Sequence, residues 1–209
     1  MKIILTNAGK RFNREWIFRN LSYEFSQNKS YAIIGSNGSG KSTLLQVISS
    51  ALLLNEGTVE WHLNQESLSS DSVHQHTSLA APYFEVIEEM TAKEFLVFHN
   101  QFKKFIDHFS VDEILEKAQL KNAANKQIRF YSSGMKQRLK LAQAIFSDVP
   151  FVLLDEPCTN LDENGFALYY NWIENFCRDR ILVISSNDIN EYKFCDEQLN
   201  IQQFKKQIF

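Results

Sequence analysis

The chain has 209 residues, of which 44% are hydrophobic, and its formal net charge at neutral pH is −3. This length fits one large domain, or a core with a small inserted subdomain, and the hydrophobic content is ordinary for a globular protein. A nucleic-acid surface normally shows a basic excess, so no nucleic-acid partner is expected.

Apolar runs and cysteines indicate where the protein works. Runs such as Phe151–Leu154 and Ile181–Ile184 are far too short to span a bilayer, and the start of the chain turns polar too soon for a signal peptide. Cys158, Cys177 and Cys195 form neither a disulfide framework nor a metal-binding spacing. These features predict a protein of the reducing cytosol whose cysteines fill the core.

The hydrophobic periodicity predicts strands in the first third of the chain, and helices alternating with strands near its end. The predicted strands are Lys2–Thr6, Ile17–Phe25, Tyr31–Ile34, Thr58–Leu63, Val73–Ala80, Phe151–Leu154 and Ile181–Ile184, with one or two edge strands within Gln198–Phe209. A turn is predicted at 55–57 and a surface loop at 64–72. His74 and His76 would share one face of their strand, and we interpret them as solvent-facing residues rather than metal ligands.

Helix start signals divide the rest of the chain. The predicted helices begin at Lys41, at the capping boxes Thr91–Glu94 and Ser110–Glu113, at Ser132 or Ser133, at Asp162 and near Asn190. Strands flanked by helices predict an α/β protein with a mostly parallel sheet. The helical block between about residues 86 and 146 interrupts this alternation and predicts an inserted all-helical subdomain.

A glycine-rich motif lies between the predicted strand Tyr31–Ile34 and the helix that begins at Lys41. It fits the pattern Gly-x-x-x-x-Gly-Lys-Ser, in which backbone N–H groups and a helix N-terminus surround phosphate oxygens. Lys41 is expected to reach the β- and γ-phosphates, and the Ser42 hydroxyl to ligate Mg²⁺. The candidate phosphate-binding residues are Gly35, Ser36, Asn37, Gly38, Ser39, Gly40, Lys41, Ser42 and Thr43.

Two acidic residues follow the apolar strand Phe151–Leu154. Open α/β sheets bind ligands at the carboxyl edge of their strands, where Asp155 is expected to hold Mg²⁺. Glu156 is the candidate general base that activates the attacking water. An acidic helix start before Pro157 would explain this pair in isolation, but not together with the glycine-rich motif.

A further stretch, Tyr131-Ser132-Ser133-Gly134-Met135-Lys136-Gln137-Arg138, resembles the Leu-Ser-Gly-Gly-Gln signature of ATP-binding-cassette (ABC) ATPases. The loop Thr159–Asp162 is similar to the family's loop after the catalytic Glu, which communicates across the dimer. Phe12 stands where the family places an aromatic residue that stacks on adenine. Asn187 follows a strand similar to the one that precedes the family's switch residue, a histidine that contacts the γ-phosphate. The resemblance covers nearly the whole chain.

The resemblance implies a single nucleotide-binding domain over residues 1–209 with a P-loop NTPase three-layer core. Its expected parts are an ATP-binding core of 1–85 and 147–209, which includes an N-terminal antiparallel β subdomain, and a helical signature subdomain of 86–146. The family binds ATP and Mg²⁺ between two cassettes closed head-to-tail. Ser132, Ser133, Gly134 and Asp162 would then contact ATP held by the partner cassette.

The resemblance also implies a role. A second cassette, identical or different, and a separately encoded membrane permease are the expected partners, and the expected location is the cytoplasmic face of the cell membrane. The size of the chain resembles that of small exporter-type cassettes. Two alternatives stay open: a soluble, non-transport ABC ATPase, and a degenerate cassette that uses ATP binding as a regulatory switch with little turnover.

Three departures from the family pattern affect these expectations. Asn187 replaces the usual switch histidine, so slower hydrolysis is expected, with Asn187 as a weaker partner of Lys41 and Glu156 in catalysis. The segment Ala80–Tyr83 lacks the Gln that touches Mg²⁺, although its aromatic residues could dock a permease helix. Ser133 and Met135 replace signature Gly and Gln, which we interpret as a tolerated variant.

Overall fold

A computed structural model describes residues 1–106 and 109–205. The strands are β1 Lys2–Phe12, β2 Glu15–Ser26, β3 Ser30–Ile34, β4 Glu56–Leu63, β5 Glu66–Leu68, β6 Thr77–Ala80, β7 Phe151–Asp155, β8 Ile181–Ser185 and β9 Glu197–Asn200. The helices are α1 Lys41–Ile48, α2 Ala92–Phe102, α3 Val111–Lys117, α4 Ser133–Ile145, α5 Glu163–Phe176 and α6 Ile189–Tyr192. None of the described helices is long and apolar enough to cross a membrane.

The central sheet is parallel and has the strand order β6-β7-β8-β3-β9. Every residue of β7 and of β8 is buried, as expected for parallel strands that are covered on both faces. Alternate residues of β7 enter different cores: Phe151 and Leu153 face α1 and the N-terminal strands, whereas Val152 and Leu154 face α4 and α5. The predicted α/β class with a parallel sheet is confirmed.

A second sheet, antiparallel with the order β2-β1-β4-β5, packs on the α1 side. It confirms the predicted N-terminal β subdomain, but β1 runs to Phe12 instead of ending at Thr6. Asn7 has a φ of 50°, and the register shifts between Leu5 and Ala8. This bulge resets the alternation of inward residues, which is why the sequence pattern ends the strand too early.

Helices α2 and α3 begin at the predicted capping boxes, in which Thr91 and Ser110 each exchange hydrogen bonds with a Glu three residues later. Helix α4 packs against α2, but also against α5, β6 and β7. Helix α4, which begins in the predicted signature stretch and is called the signature helix below, therefore connects the helical block to the parallel sheet. The subdomain limits at 86 and 146 stay a prediction.

Several local predictions are wrong. The predicted strand Val73–Ala80 is a 3₁₀ helix at Val73–Gln75 followed by β6, so His74 and His76 do not share a strand face. The predicted loop 64–72 contains β5, because Asn64 and Gln65 both adopt positive φ and form a hairpin turn that polar composition concealed. The predicted turn 55–57 instead lies largely in β4.

The C-terminal prediction is confirmed in one part. Strand β9 lies at the edge of the parallel sheet beside β3 and is followed by a 3₁₀ helix at Ile201–Phe204. The predicted tail beyond residue 205 lies outside the described residues.

A partly buried polar network joins α2 to the end of α4. The Gln143 amide nitrogen donates to His99 Nδ1 at 2.9 Å, and His99 Nε2 lies 2.7 Å from Ser147 Oγ. Because an amide nitrogen only donates, Nδ1 must accept and Nε2 carries the proton, so the ring is neutral. Burial, with a smaller effect from Lys103, lowers the pKa of His99 to about 4.

This pKa predicts an acid-dependent loss of stability. Between about pH 6.5 and pH 4 the unfolded chain binds a proton at His99 that the folded chain does not, so the free energy of unfolding falls as the pH falls, by up to about 3 kcal/mol. Chemical denaturation across this range should show a shallower pH dependence for His99→Gln than for the wild type. The exposed control His74→Gln should behave as the wild type; equal slopes for all three proteins would contradict the assignment.

Candidate functional site

The glycine-rich loop lies between the carboxyl end of β3 and the start of α1. Gly40 is the N-cap residue of α1, and no side chain caps this helix. The first backbone N–H groups of α1 and its positive end are therefore available to an anion. The Lys41 side chain is buried, and its Nζ donates to the carbonyl oxygens of Gly35 at 3.0 Å and Ser36 at 3.2 Å.

A cleft of about 210 Å³ opens over this loop. It is lined by Ile17, Asn37, Gly38, Gly40, Lys41, Ser42, Thr43 and Glu156. One wall thus carries the lysine and hydroxyl groups of α1, and the other carries the carboxylate that follows β7. Ile17, from β2, is a lining residue that sequence reasoning missed, because its apolar side chain has no functional signature.

Asp155 is buried at the end of β7, and its Oδ1 atom has no hydrogen-bond partner. Burial raises the pKa of Asp155, while the nearby Ser42 hydroxyl, Ser185 and Lys41 lower it in part. A buried carboxylate oxygen without a partner, close to a hydroxyl at a helix start, fits the oxygen ligands that Mg²⁺ prefers. Asp155 and Ser42, the predicted metal residues, therefore lie together.

Glu156 adopts a φ of 44°, and its amide donates to the Ser185 carbonyl at 2.8 Å. A left-handed backbone costs a non-glycine residue on the order of 1–3 kcal/mol. This conformation turns the chain sharply after β7 and brings the Glu156 side chain to the cleft. Strain at a predicted catalytic residue is consistent with a functional constraint on this turn.

Asn187, the predicted switch residue, contacts the glycine-rich loop. Its Nδ2 atom donates to Asn37 Oδ1 at 2.8 Å. The side chain therefore contacts the loop that lines the cleft, as a neutral amide instead of an imidazole.

Other predicted residues lie away from this cleft. Ser132 is the exposed N-cap of α4 and accepts from the Met135 amide, and Asp162 caps α5 by accepting from the Gly165 amide. Phe12 is 47% exposed at the end of β1, with Lys10 Nζ 5.3 Å from its ring. Among the described residues, the cleft lining includes neither these three side chains nor Ser133 and Gly134.

The segment Ala80–Tyr83 lacks the Gln that the family usually has there. It begins beside Asp155, because Ala80 of β6 pairs with Leu154 of β7. Tyr83 follows in this segment. Burial raises the pKa of Tyr83, the Gln46 side chain beside its hydroxyl lowers it, and the charge of Asp155 raises it further. A tyrosine hydroxyl thus lies near the predicted metal residues. The sequence had offered no signal for it beyond an aromatic cluster.

The ABC transporter family model matches residues 18–159 of the chain, a segment that contains the glycine-rich loop, the signature helix and the Asp155–Glu156 pair. The chain belongs to the ABC transporter family. No described cluster of three or more His, Cys, Asp or Glu residues could hold a metal, so an additional site of that kind has no support within residues 1–106 and 109–205.

Individual relatives agree with this assignment. The ABC transporter ATP-binding protein YybJ of Bacillus subtilis is 29% identical, over 95% of this chain and 92% of its own length. YxlF, from the same organism, is 35% identical over 90% of this chain, which spans 63% of YxlF. A solved dimeric ATP-binding cassette in a post-hydrolysis state, bound to ADP and Pi, superposes with a TM-score of 0.76 at 24% identity, over 96% of this chain and 95% of that one. The chain is therefore an ABC transporter ATP-binding cassette with the P-loop NTPase fold.

Two glycines of the loop allow a matched test of its packing. Gly38 and Gly40 both have positive φ, but a Cβ atom on Gly38 meets open space, whereas one on Gly40 would lie 2.3 Å from Ile17 Cγ2. We expect Gly38→Ala to cost about 1 kcal/mol from backbone strain alone, and Gly40→Ala about 1–3 kcal/mol more because of the overlap.

The free energy of unfolding, measured by chemical denaturation without nucleotide, checks this difference. Adding Ile17→Ala removes the overlapping methyl group, so the double variant should lose less stability than the two single losses together. Equal losses for Gly38→Ala and Gly40→Ala, or strict additivity with Ile17→Ala, would show that this contact does not shape the loop.

Proposed function

We propose that this chain is the ATP-hydrolysing subunit of an ABC transporter, which closes head-to-tail with a second cassette over ATP and powers a separate membrane permease. The observation that carries the proposal is the cleft that joins Lys41, Ser42 and Glu156 beside the unpartnered Asp155 oxygen. The family membership and the names of the relatives support the same role.

In this proposal the chain's own groups divide the work on ATP. Lys41 exchanges its loop carbonyls for the β- and γ-phosphates, and the loop amides with the start of α1 bind the remaining phosphate oxygens. Ser42 and Asp155 would hold Mg²⁺, which would supply positive charge to offset the negative charge of the phosphates. Glu156 orients water and accepts its proton as the water oxygen bonds to the γ-phosphorus. The bond from that phosphorus to the β–γ bridging oxygen breaks, so ADP and phosphate leave. Phe12 offers an exposed ring for adenine.

The second half of the nucleotide site would come from a partner cassette. Ser132, Ser133 and Gly134 form the exposed start of α4, which lies outside the cleft of its own chain. A helix start with a serine hydroxyl can bind a γ-phosphate held elsewhere. Asp162, in the loop after Glu156, would contribute to the same contact. The proposal holds for a partner that is a second copy of this chain and for one that is a related cassette.

A permease-docking surface is supported by apolar side chains that remain exposed after the predicted Gln position. Tyr83, Phe84 and Ile87 are each at least 40% exposed. Because Tyr83 also lies near Asp155, movement of a docked permease helix could reach the metal side of the cleft. Docking to a permease in this way would hold the protein at the cytoplasmic face of the membrane.

One observation favours a second candidate, a cassette that binds ATP as a regulatory switch with little turnover. Asn187 is hydrogen-bonded to Asn37 and cannot carry a positive charge toward the γ-phosphate. Slow hydrolysis by the isolated protein would follow in either case, so the effect of a permease on the rate separates the two functions. A soluble, non-transport ATPase would instead need no membrane partner.

The head-to-tail mechanism predicts an ATP-dependent dimer. Glu156→Gln removes the base but keeps the phosphate contacts, so saturating Mg-ATP should convert this variant from monomer to dimer in size-exclusion chromatography with light scattering. Adding Lys41→Ala should abolish the dimer, because about 1.5–3 kcal/mol is lost for each charged hydrogen bond to phosphate. The control Lys29→Ala, an exposed residue paired with Glu197, should leave dimerisation unchanged. A Glu156→Gln protein that stays monomeric would contradict the mechanism.

The switch position predicts a gain of activity. Asn187→His should raise kcat by about tenfold, because an imidazole can stabilise charge developing on the γ-phosphate. Steady-state phosphate release measures this effect, and Asn175→His, on the exposed face of α5, is the matched control. Wild-type turnover at the usual rate of such cassettes, with no increase for Asn187→His, would show that the switch residue does not limit hydrolysis.

A further inference from the structure

One peptide group, between Pro157 and Cys158, is held on both sides by buried side chains. Gln137 of α4 donates from Nε2 to the Pro157 carbonyl at 2.6 Å. Glu191 of α6 accepts at Oε1 from the Cys158 amide at 2.9 Å. Both side chains are only 5% exposed. The carbonyl and the amide of a single rigid peptide plane are thus fixed by two different helices.

This peptide lies between the catalytic residue and the loop that faces the second cassette. Glu156 precedes it in a left-handed conformation, and Asn160 follows with a φ of 66°. The orientation of the 157–158 peptide fixes the direction in which the chain continues after Glu156. It therefore determines whether the Glu156 carboxylate stays at the cleft. The same plane sets the start of the loop 159–162.

The two helices that hold the peptide carry the other parts of the proposed mechanism. Gln137 lies one turn after the signature start, where Gly134 packs so closely that a Cβ atom would lie 3.0 Å from the Asn160 carbonyl. Glu191 lies in α6, which begins two residues after the predicted switch residue Asn187. A shift of either helix must therefore be transmitted to the peptide next to Glu156.

The Glu191 carboxylate is poorly explained as a stabilising group. Its Oε2 atom is buried without a hydrogen-bond partner, and the acidic residues Asp188 and Glu156 face it. Burial raises the pKa of Glu191, whereas Ser186 and the Cys158 amide lower it in part. A partly satisfied buried carboxylate usually contributes less to stability than an apolar side chain of similar size. Its geometry therefore indicates positioning.

We propose that Gln137 and Glu191 are positioning residues which, through the 157–158 peptide, align Glu156 with the nucleotide and couple it to the signature and switch helices. The expected effect of these two residues on catalysis rests on the proposed ATPase function. The hydrogen bonds themselves can be tested without nucleotide.

Gln137→Met and Glu191→Leu each remove one hydrogen bond while keeping side-chain volume. We expect each variant to lower kcat by about ten- to hundredfold with KM changed less than about threefold, because the base is misplaced while the phosphate loop is intact. The double variant should be no worse than the poorer single one, since both act on one peptide. Glu191→Gln, which keeps the acceptor oxygen, should recover most of the turnover.

Amide hydrogen exchange supplies a readout that does not depend on activity. The Cys158 amide should exchange at least about tenfold faster in Glu191→Leu than in the wild type, and Glu191→Gln should retain protection. Glu174→Leu, at an exposed site on α5, is the matched control and should change neither exchange nor kcat. Circular dichroism at the assay temperature shows that the variants compared are folded; if Glu191→Leu unfolds, Gln137→Met and Glu191→Gln decide the result.

The outcomes separate the two proposals. Faster Cys158 exchange in Glu191→Leu, together with a wild-type protein that hydrolyses no ATP, would support the peptide contacts and overturn the ATPase assignment. Normal exchange, additive losses in the double variant, or losses of kcat that follow the unfolded fraction would overturn the positioning role while leaving the ATPase function intact.

Discussion

The pairing of β8 between β7 and β3 is the constraint on which the site depends. In-register parallel hydrogen bonds place Ser185 beside both Asp155 and Ile33, so the three strands end at one edge of the sheet. The loop 35–40, the acidic pair and the switch segment all leave from that edge. Lys41 and Glu156, which are more than 100 positions apart in sequence, therefore share one cleft.

Two charged groups at the cleft, Lys41 and Asp155, lack strong partners among the residues that the structure describes. Lys41 is buried against backbone carbonyls, and Asp155 is buried with one oxygen unpaired. Each group would gain stronger partners from a phosphate or a cation than the chain itself supplies. This difference in interaction between the free and bound protein is what allows a ligand to shift the conformation of the loops around it.

The same loops connect the cleft to surfaces where other molecules would act. The 157–158 peptide is hydrogen-bonded to side chains of α4 and α6, and the segment after β6 leads from the neighbourhood of Asp155 to exposed aromatic side chains. Packed side chains and hydrogen bonds of this kind can carry energetic coupling between sites.

The class of fold, the glycine-rich loop, both capping boxes and the start of α4 were predictable from the sequence, because they depend on local periodicity, capping and spacing. It misjudged β1 and β5, where Asn7, Asn64 and Gln65 adopt left-handed conformations that hydrophobic patterns do not report. That Gln137 and Glu191 contact the same peptide group could not be predicted, because buried polar contacts between distant helices depend on packing and leave no periodic pattern in the sequence.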